Sequence, residues 1–388
     1  MLVQPKTLVK MKKNAIKMIG LLLCAIFCSC EFLEEYTGGN IGNDPNQIKE
    51  ISFIDEFVIA DGMLFENTLI GGLSGIDYEN GKWYLISDDP TAPIRFYTAN
   101  IEFNESGFRD VSINGVTELK DKNGNSFSED TVDPEAIRVA ANGTIVWTSE
   151  GNINNGIDPF IRFSDQAGNF LSEALVAPKY KFNTNENIGP VHNGTFEGLC
   201  KAYGSNGYWV NMELPLKQDG VEPTIEDTES PIRISYLSQN GTFGKEFVYE
   251  LDPVVRKASE TAFTINGVVE ILEYSTDQFL FLERSFSTGF TDGGNNVKIY
   301  KVDASNATNV RNMDSLEGET YIKATKELLF DFESIRGELT DGIVDNIEGI
   351  TLGPVLENGN RSLVLVADNN FSAFGPQLNQ FILLELIN

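Results

Sequence analysis

The chain has 388 residues and a formal net charge of −28, with 57 acidic side chains against 29 basic ones. A phosphate backbone needs clustered Lys and Arg, so this balance excludes nucleic acid as a partner and opposes unaided binding of any polyanion, while suiting cations that take oxygen ligands. Hydrophobic residues at 41% and 26 Phe supply a large core and exclude disorder.

In chain order, "MKKNAIKMIGLLLCAIFCSC" from Met11 has a basic start, a short apolar run and small residues before a cysteine, the pattern of a secretory signal. Residues 1–30 are therefore expected to be a signal segment, with Met11 a candidate start. Ser29-Cys30 reads as a loose lipobox with Cys30 as the lipidated residue. Residues 31–50 would then be a tether and 51–388 the folded domain, exported and lipid-anchored at a bacterial envelope. Plain signal cleavage is the alternative. Of four cysteines only Cys200 lies outside the first thirty residues, so no internal disulfide is expected, and its apolar setting in "GLCKAY" reads as core. His192 is the only histidine, which leaves no comfortable zinc site or Ser-His-Asp triad.

From Leu73 onward one pattern repeats five times, in "LSGIDYENGKWYLISDD", "PEAIRVAANGTIVWTSE", "FEGLCKAYGSNGYWVNME", "VEILEYSTDQFLFLE" and "IEGITLGPVLENGNRSLVLVAD". Each is an apolar strand, a turn rich in Gly, Asn or Asp, a second apolar strand and a closing acid, which makes a hairpin. Third strands follow from Ile94, Phe160, Ile232, Val297 and Gln380, and fourth strands from Phe108, Phe170, Gly244 and Thr325. The last repeat lacks its fourth strand, and "ISFIDEFVIA" from Ile51 is expected to supply it and close the ring. The predicted fold is an all-β propeller of five four-stranded blades. A sixth blade would have to be irregular and hidden in 115–132 or 179–195.

First strands of propeller blades line the central channel, so Glu135, Glu197, Glu270 and Glu348, with Ser74 in the first blade's place, are expected to gather at one mouth. The acids ending the second strands, Asp88, Glu150, Glu213, Glu283 and Asp368, should face the same mouth, since adjacent strands run antiparallel. Crowded carboxylates raise one another's pKa unless cations intervene, and calcium or magnesium would serve. The same acids would equally cap backbone N–H groups at blade corners. Arg284 is an internal counter-ion and a candidate phosphate ligand. Trp83, Trp147, Trp209 and Phe281 are expected in the core between blades, and "GFTDGGNNVK" from Gly289 reads as a loop without EF-hand spacing. There is no Walker loop, dinucleotide fingerprint or G-x-S-x-G elbow.

"GGLSGIDYENGKWYLISDDP", "DPEAIRV", "FEGLC", "LERSFSTGF", "VKIYKVD", "DNIEGITLGP" and "LVLVADNNFS", in this order and joined by "MELPLKQDG", resemble the phytase-like family, or "esterase-like activity of phytase", across about 51–386. The resemblance implies an exported hydrolase of phosphate esters acting on a small-molecule substrate. It transfers no catalytic residue. Combined with the acids, it gives an expected mechanism in which calcium held by Glu135, Glu197, Glu348 and Asp368, with Glu150, Glu213 and Asp88 as further ligands, polarises a phosphoryl oxygen. Glu348, Glu283 and Arg284 are the candidate catalytic residues. No organic cofactor is expected, and a monomer touching the membrane only through its anchor is. Two other readings stay open: a non-catalytic lipoprotein propeller that binds a ligand or partner protein, and a calcium-dependent carboxylester or lactone hydrolase.

Overall fold

A computed structural model describes residues 48–372 and 377–388. The expected signal, Cys30 and nearly all of the tether lie outside the described residues. No helix among the described residues is long and apolar enough to cross a membrane.

Five four-stranded antiparallel sheets form the blades. The first comprises β4 (Leu73–Glu79), β5 (Lys82–Ser87), β6 (Arg95–Asn104) and β7 (Gly107–Glu118). The second comprises β8 (Pro134–Val139), β9 (Ile145–Ser149), β10 (Phe160–Ser164) and β11 (Phe170–Glu173). The third comprises β12 (Phe196–Lys201), β13 (Tyr208–Met212), β14 (Pro231–Leu237) and β15 (Phe243–Glu250). The fourth comprises β16 (Thr264–Ser275), β17 (Gln278–Ser287), β18 (Asn295–Asp303) and β19 (Thr325–Asp331). The fifth comprises β20 (Asn346–Val355), β21 (Arg361–Asp368) and β22 (Asn379–Ile387), completed by β1 (Glu50–Ile59), which pairs antiparallel with β22 from Glu50↔Ile387 to Ile59↔Asn379. The first and last described strands thus share one sheet, which leaves no gap in the ring. A two-stranded ribbon, β2 (Leu64–Phe65) with β3 (Thr68–Leu69), is an addition that the repeat pattern did not predict.

Short strands of Val, Ile, Phe and Trp fit here because each blade is covered on both faces by its neighbours, so β9 and β13 are buried at every residue. Turns are set by local chemistry: Asn80 and Gly81 both take positive φ (51° and 78°), the left-handed pair that a two-residue hairpin turn between β4 and β5 requires. Apolar side chains cluster between blades, in five interfaces that run around the ring. Trp147, fully buried, packs with Ile86 and Phe96 of the first blade; Trp83, Trp209 and Phe281 lie in other interfaces, as expected. Each such side chain contributes on the order of 1.5–3 kcal/mol by leaving water.

Around the axis the innermost strands touch in the order β4, β8, β12, β16, β20 and back to β4. The approach is close: a Cβ on Gly198 would stand 2.4 Å from Asn211 Oδ1 and 2.7 Å from Glu270 Cα. The segments 115–132 and 179–195 hold no extra blade; they carry the end of β7, loops and a single 3-10 turn at Pro178–Tyr180.

Candidate functional site

All five innermost strands carry the same irregularity. In the fifth blade the pairing steps from Ile347↔Ala367 to Gly349↔Val366, so Glu348 is an extra, bulged residue. Equivalent shifts fall after Leu73, Pro134, Phe196 and Val268 and put Ser74, Glu135, Glu197 and Val269 in the same place. A bulge re-aims the side chain it inserts, here toward the mouth of the channel. One step earlier, the partner on the second strand recurs as well. Asp368 pairs with Asn346 and Arg284 with Gly267, while the amides of Asp88, Glu150 and Glu213 donate to the carbonyls of Gly72, Asp133 and Thr195 at 2.7, 2.9 and 2.9 Å.

The fourth blade corrects the sequence reading by one residue. Val269, not Glu270, takes the bulge position, and Arg284, not Glu283, takes the place of the second-strand acid. Glu270 sits where other blades have Gly75, Ala136, Gly198 and Gly349, and it reaches across the axis to pair with Arg138 Nη2 at 2.7 Å. Arg138 also donates to the carbonyls of Ile76 (2.9 Å) and Ile350 (3.2 Å), and the amide of Leu199 donates to Glu270 (2.7 Å), so this buried pair ties all five blades together. Glu283 points to the opposite face of its strand from Arg284, as alternation demands. It accepts from Tyr249 Oη at 2.7 Å, the Asp252 amide at 2.9 Å and Asn266 Nδ2 at 2.8 Å, and meets Lys326 at 3.2 Å. It joins blades and does not line the mouth. Asp89, which follows Asp88, is bound to Arg95 at 2.9 Å.

The remaining acids converge. A cavity of about 550 Å³ is lined by Asp88, Asp133, Glu135, Glu197, Glu213, Glu348 and Asp368, with Arg284 the one guanidinium. One oxygen each from Asp133, Glu135 and Glu150 lie within 4.8 Å of one another; the same is true of Glu135, Glu197 and Glu348, and of Glu150, Glu197 and Glu213. Asp88 and Asp368 stand outside these trios. Asp368 accepts from Asn346 Nδ2 (3.1 Å) and the Asn370 amide (2.6 Å), whereas Asp88 Oδ1 is buried without a partner among the described residues. Glu150 accepts from the Thr195 amide. Arg284 Nη2 lies 3.1 Å from Glu213 and 3.3 Å from Glu348, and its Nε has no partner among the described residues.

Burial, reinforced by neighbouring carboxylates, pushes Asp88, Glu135, Glu150, Glu197 and Glu348 well above the usual carboxylate range. Glu213 is pushed up to about 7 by burial despite Arg284, Asp133 to about 7 by burial and the charges of Asp368 and Asp130, and Asp368 to about 6 chiefly by burial. Asp133, Glu135 and Glu197 accept no hydrogen bond at their carboxylates among the described residues, and of the three only Glu197 is eased by the nearby charge of Arg284. An all-carboxylate donor set of this kind fits calcium or magnesium and does not suit zinc, which favours nitrogen and sulfur. The capping of backbone N–H groups considered from sequence is borne by Glu150, Glu270, Glu283 and Asp368, not by the set as a whole.

Asp133 escaped the sequence reading although it stands two residues before Glu135, as Asn346 stands before Glu348. Also missed was an apolar wall of Phe263, Ile265, Phe286 and Phe290 on one side of the cavity. "GFTDGGNNVK", read only as a loop, supplies part of it. Cys200 is buried in the β12 strand, and burial raises its thiol pKa well above the ordinary value.

No curated protein matches the chain by sequence. Solved structures similar in fold include endo-arabinase from Bacteroides thetaiotaomicron (14% identity, 82% of this chain and 95% of that one, TM-score 0.44) and the catalytic domain of a Coprinopsis cinerea GH62 alpha-L-arabinofuranosidase (12%, 86% and 97%, 0.43). At these scores they speak to neither substrate nor mechanism. The family described as "Phytase-like: Esterase-like activity of phytase" matches residues 68–371, well over half the sequence, and the chain belongs to that family.

Proposed function

We propose that the protein is a cation-assisted hydrolase of phosphate esters, working at the acidic mouth of the propeller. The observation that carries this is the set of three overlapping carboxylate trios, all of whose members but Glu150 line the cavity, with the Arg284 guanidinium beside them. Membership of the phytase-like family supports hydrolysis as the reaction type. So many buried carboxylates, several without any hydrogen-bond donor, suit calcium or magnesium better than they suit packing.

Glu135, Glu197 and Glu348 would hold the cation, with Asp133, Glu150 and Glu213 completing the neighbouring trios. When bound, a divalent cation supplies Lewis-acid polarisation of the substrate and a more acidic water. In hydrolysis a water oxygen attacks phosphorus, the bond to the ester oxygen breaks, and the alcohol departs with a proton. Asp368 is the candidate acceptor of the attacking water's proton. Arg284, fixed between Glu213 and Glu348 with Nε unpartnered, would donate to oxygens that gain negative charge as the ester bond breaks. Export and lipidation at Cys30, supported by the signal pattern in 11–30, would display this mouth at the cell envelope.

The test is phosphate release from phenyl phosphate and from phytate by the purified domain, in calcium and in chelator, beside Glu197→Gln and Arg284→Met. Release that needs the cation and falls at least about a hundredfold in Glu197→Gln supports the reading, in line with removal of one electrostatic element from a site. Undiminished release in chelator, or no release from either ester by a cation-loaded protein, would refute it.

A further inference from the structure

The mouth is not five-fold symmetric, and its asymmetry is concentrated in one blade. The fourth blade puts Val269 and Arg284 where others put acids or a serine. Its two inner strands also continue past the ring position: beyond Gly267↔Arg284, pairing runs on through Asn266↔Ser285 and Ile265↔Phe286 to Thr264↔Ser287. In the fifth blade pairing stops at the ring, with Asn346↔Asp368. Three further residues at ~3.3 Å each raise the fourth blade about 10 Å above the acids as a one-sided wall.

That wall is apolar where it faces the cavity. Phe286 follows Arg284 by two residues on the same strand face, Ile265 is its cross-strand partner, and Phe263 lies beside it with ring centroids 6.4 Å apart. Phe263 is 59% exposed, so core packing does not account for it. Phe290 is held from behind by Arg256, whose guanidinium stacks 4.1 Å from the ring centroid and is itself fixed by two hydrogen bonds to Asp292 at 2.7 and 2.9 Å. These rings form a platform that lines the cavity.

We infer that the site takes an ester with one small anionic head and an apolar, preferably aromatic, substituent that lies against the fourth-blade wall, and that a hexakisphosphate such as phytate is a poor ligand. The inference rests on the hydrolase reading for its reaction but not for its binding geometry. The head meets Arg284 and the carboxylate floor, the substituent meets Phe286 and Phe290, and the strand places the two next to each other. Seven carboxyl groups line the cavity against one guanidinium, so the protein itself offers an anionic ligand a single fixed positive charge. A single head is tolerable there, but further phosphates would face either acids or hydrocarbon.

The test is calorimetric binding of phenylphosphonate, methylphosphonate and phytate to the domain in excess calcium, beside Phe286→Ala and Phe290→Ala. Phenylphosphonate should bind at least about tenfold more tightly than methylphosphonate, the share expected from partly burying a phenyl ring. Both variants should lose that preference while keeping their affinity for methylphosphonate and for calcium alone. Equal binding of the two phosphonates by the unaltered protein, tightest binding of phytate, or a preference that survives both substitutions would overturn the inference. The unaltered protein decides the matter even if a variant fails to fold. Preferential binding of phenylphosphonate with no hydrolysis of phenyl phosphate would leave the platform standing and remove the hydrolase reading; hydrolysis without preference would do the reverse.

Discussion

Without a cation the mouth should destabilise the fold as pH rises. Glu213 shows the size of the effect. Its carboxyl is held at about 7 in the folded chain against an ordinary 4.5, and at 1.36 kcal/mol per pH unit the gap is worth about 3 kcal/mol. The sign follows from linkage: the folded pKa is raised, so the folded state binds more protons between about pH 4.5 and 7, and stability present below that window is lost as pH climbs through it. Asp133 and Asp368 act in the same direction, at about 7 and about 6. Unfolding entropy near 2.1 cal/mol/K per residue, over roughly 340 folded residues, converts 3 kcal/mol to about 4 °C. Thermal melts in chelator should therefore fall by at least about 4 °C between pH 5 and pH 8. Calcium at about a hundred times its dissociation constant should return about 2.7 kcal/mol, or ~4 °C, at the upper pH. Glu213→Gln, neutral at both ends, should melt above the unaltered protein at pH 8 in chelator and show a shallower pH slope. A melting temperature level from pH 5 to pH 8 in chelator, with Glu213→Gln no more stable at the top, would refute the view that these carboxylates are buried and uncompensated.

Glu270→Gln should destabilise by about 3–5 kcal/mol in urea unfolding, because it leaves Arg138 buried without its counter-ion, whereas the double change Arg138→Met with Glu270→Leu should recover most of that loss. Equal losses in the two would show that the pair contributes little. Gly198→Ala should lower stability by about 1–3 kcal/mol, since its Cβ would press on Asn211 and the Glu270 backbone; an unchanged urea midpoint would show that the axis is looser than described. Cys200 should react with a thiol reagent only at the rate of unfolding, given its burial and raised pKa, and fast labelling of the native protein would contradict its place in the core.

The repeat was legible from sequence because both of its signals are local. Two-residue turns such as Asn80-Gly81 mark hairpins, and apolar runs such as "IVWTS" mark strands covered on both faces. Together with the missing fourth strand of the last repeat they also determined the blade count and the closure by β1. Glu135, Glu197 and Glu348 were legible as a set because they occupy one position of the repeat, and one bulge recurs at that position in every blade. What only tertiary structure decided was register and direction. In "VVEILEY" the acid lies one residue past the bulge, and in "FLERSF" alternation sends Glu283 away from the mouth and Arg284 into it; a strand with period two reverses every side chain on a one-residue slip, and sequence spacing alone does not reveal where a bulge falls. The apolar wall was hidden for a related reason. Phe263, Phe286 and Phe290 are ordinary hydrophobic residues in sequence, and they acquire meaning only because two strands of one blade outrun their counterparts and leave those rings uncovered above the acids.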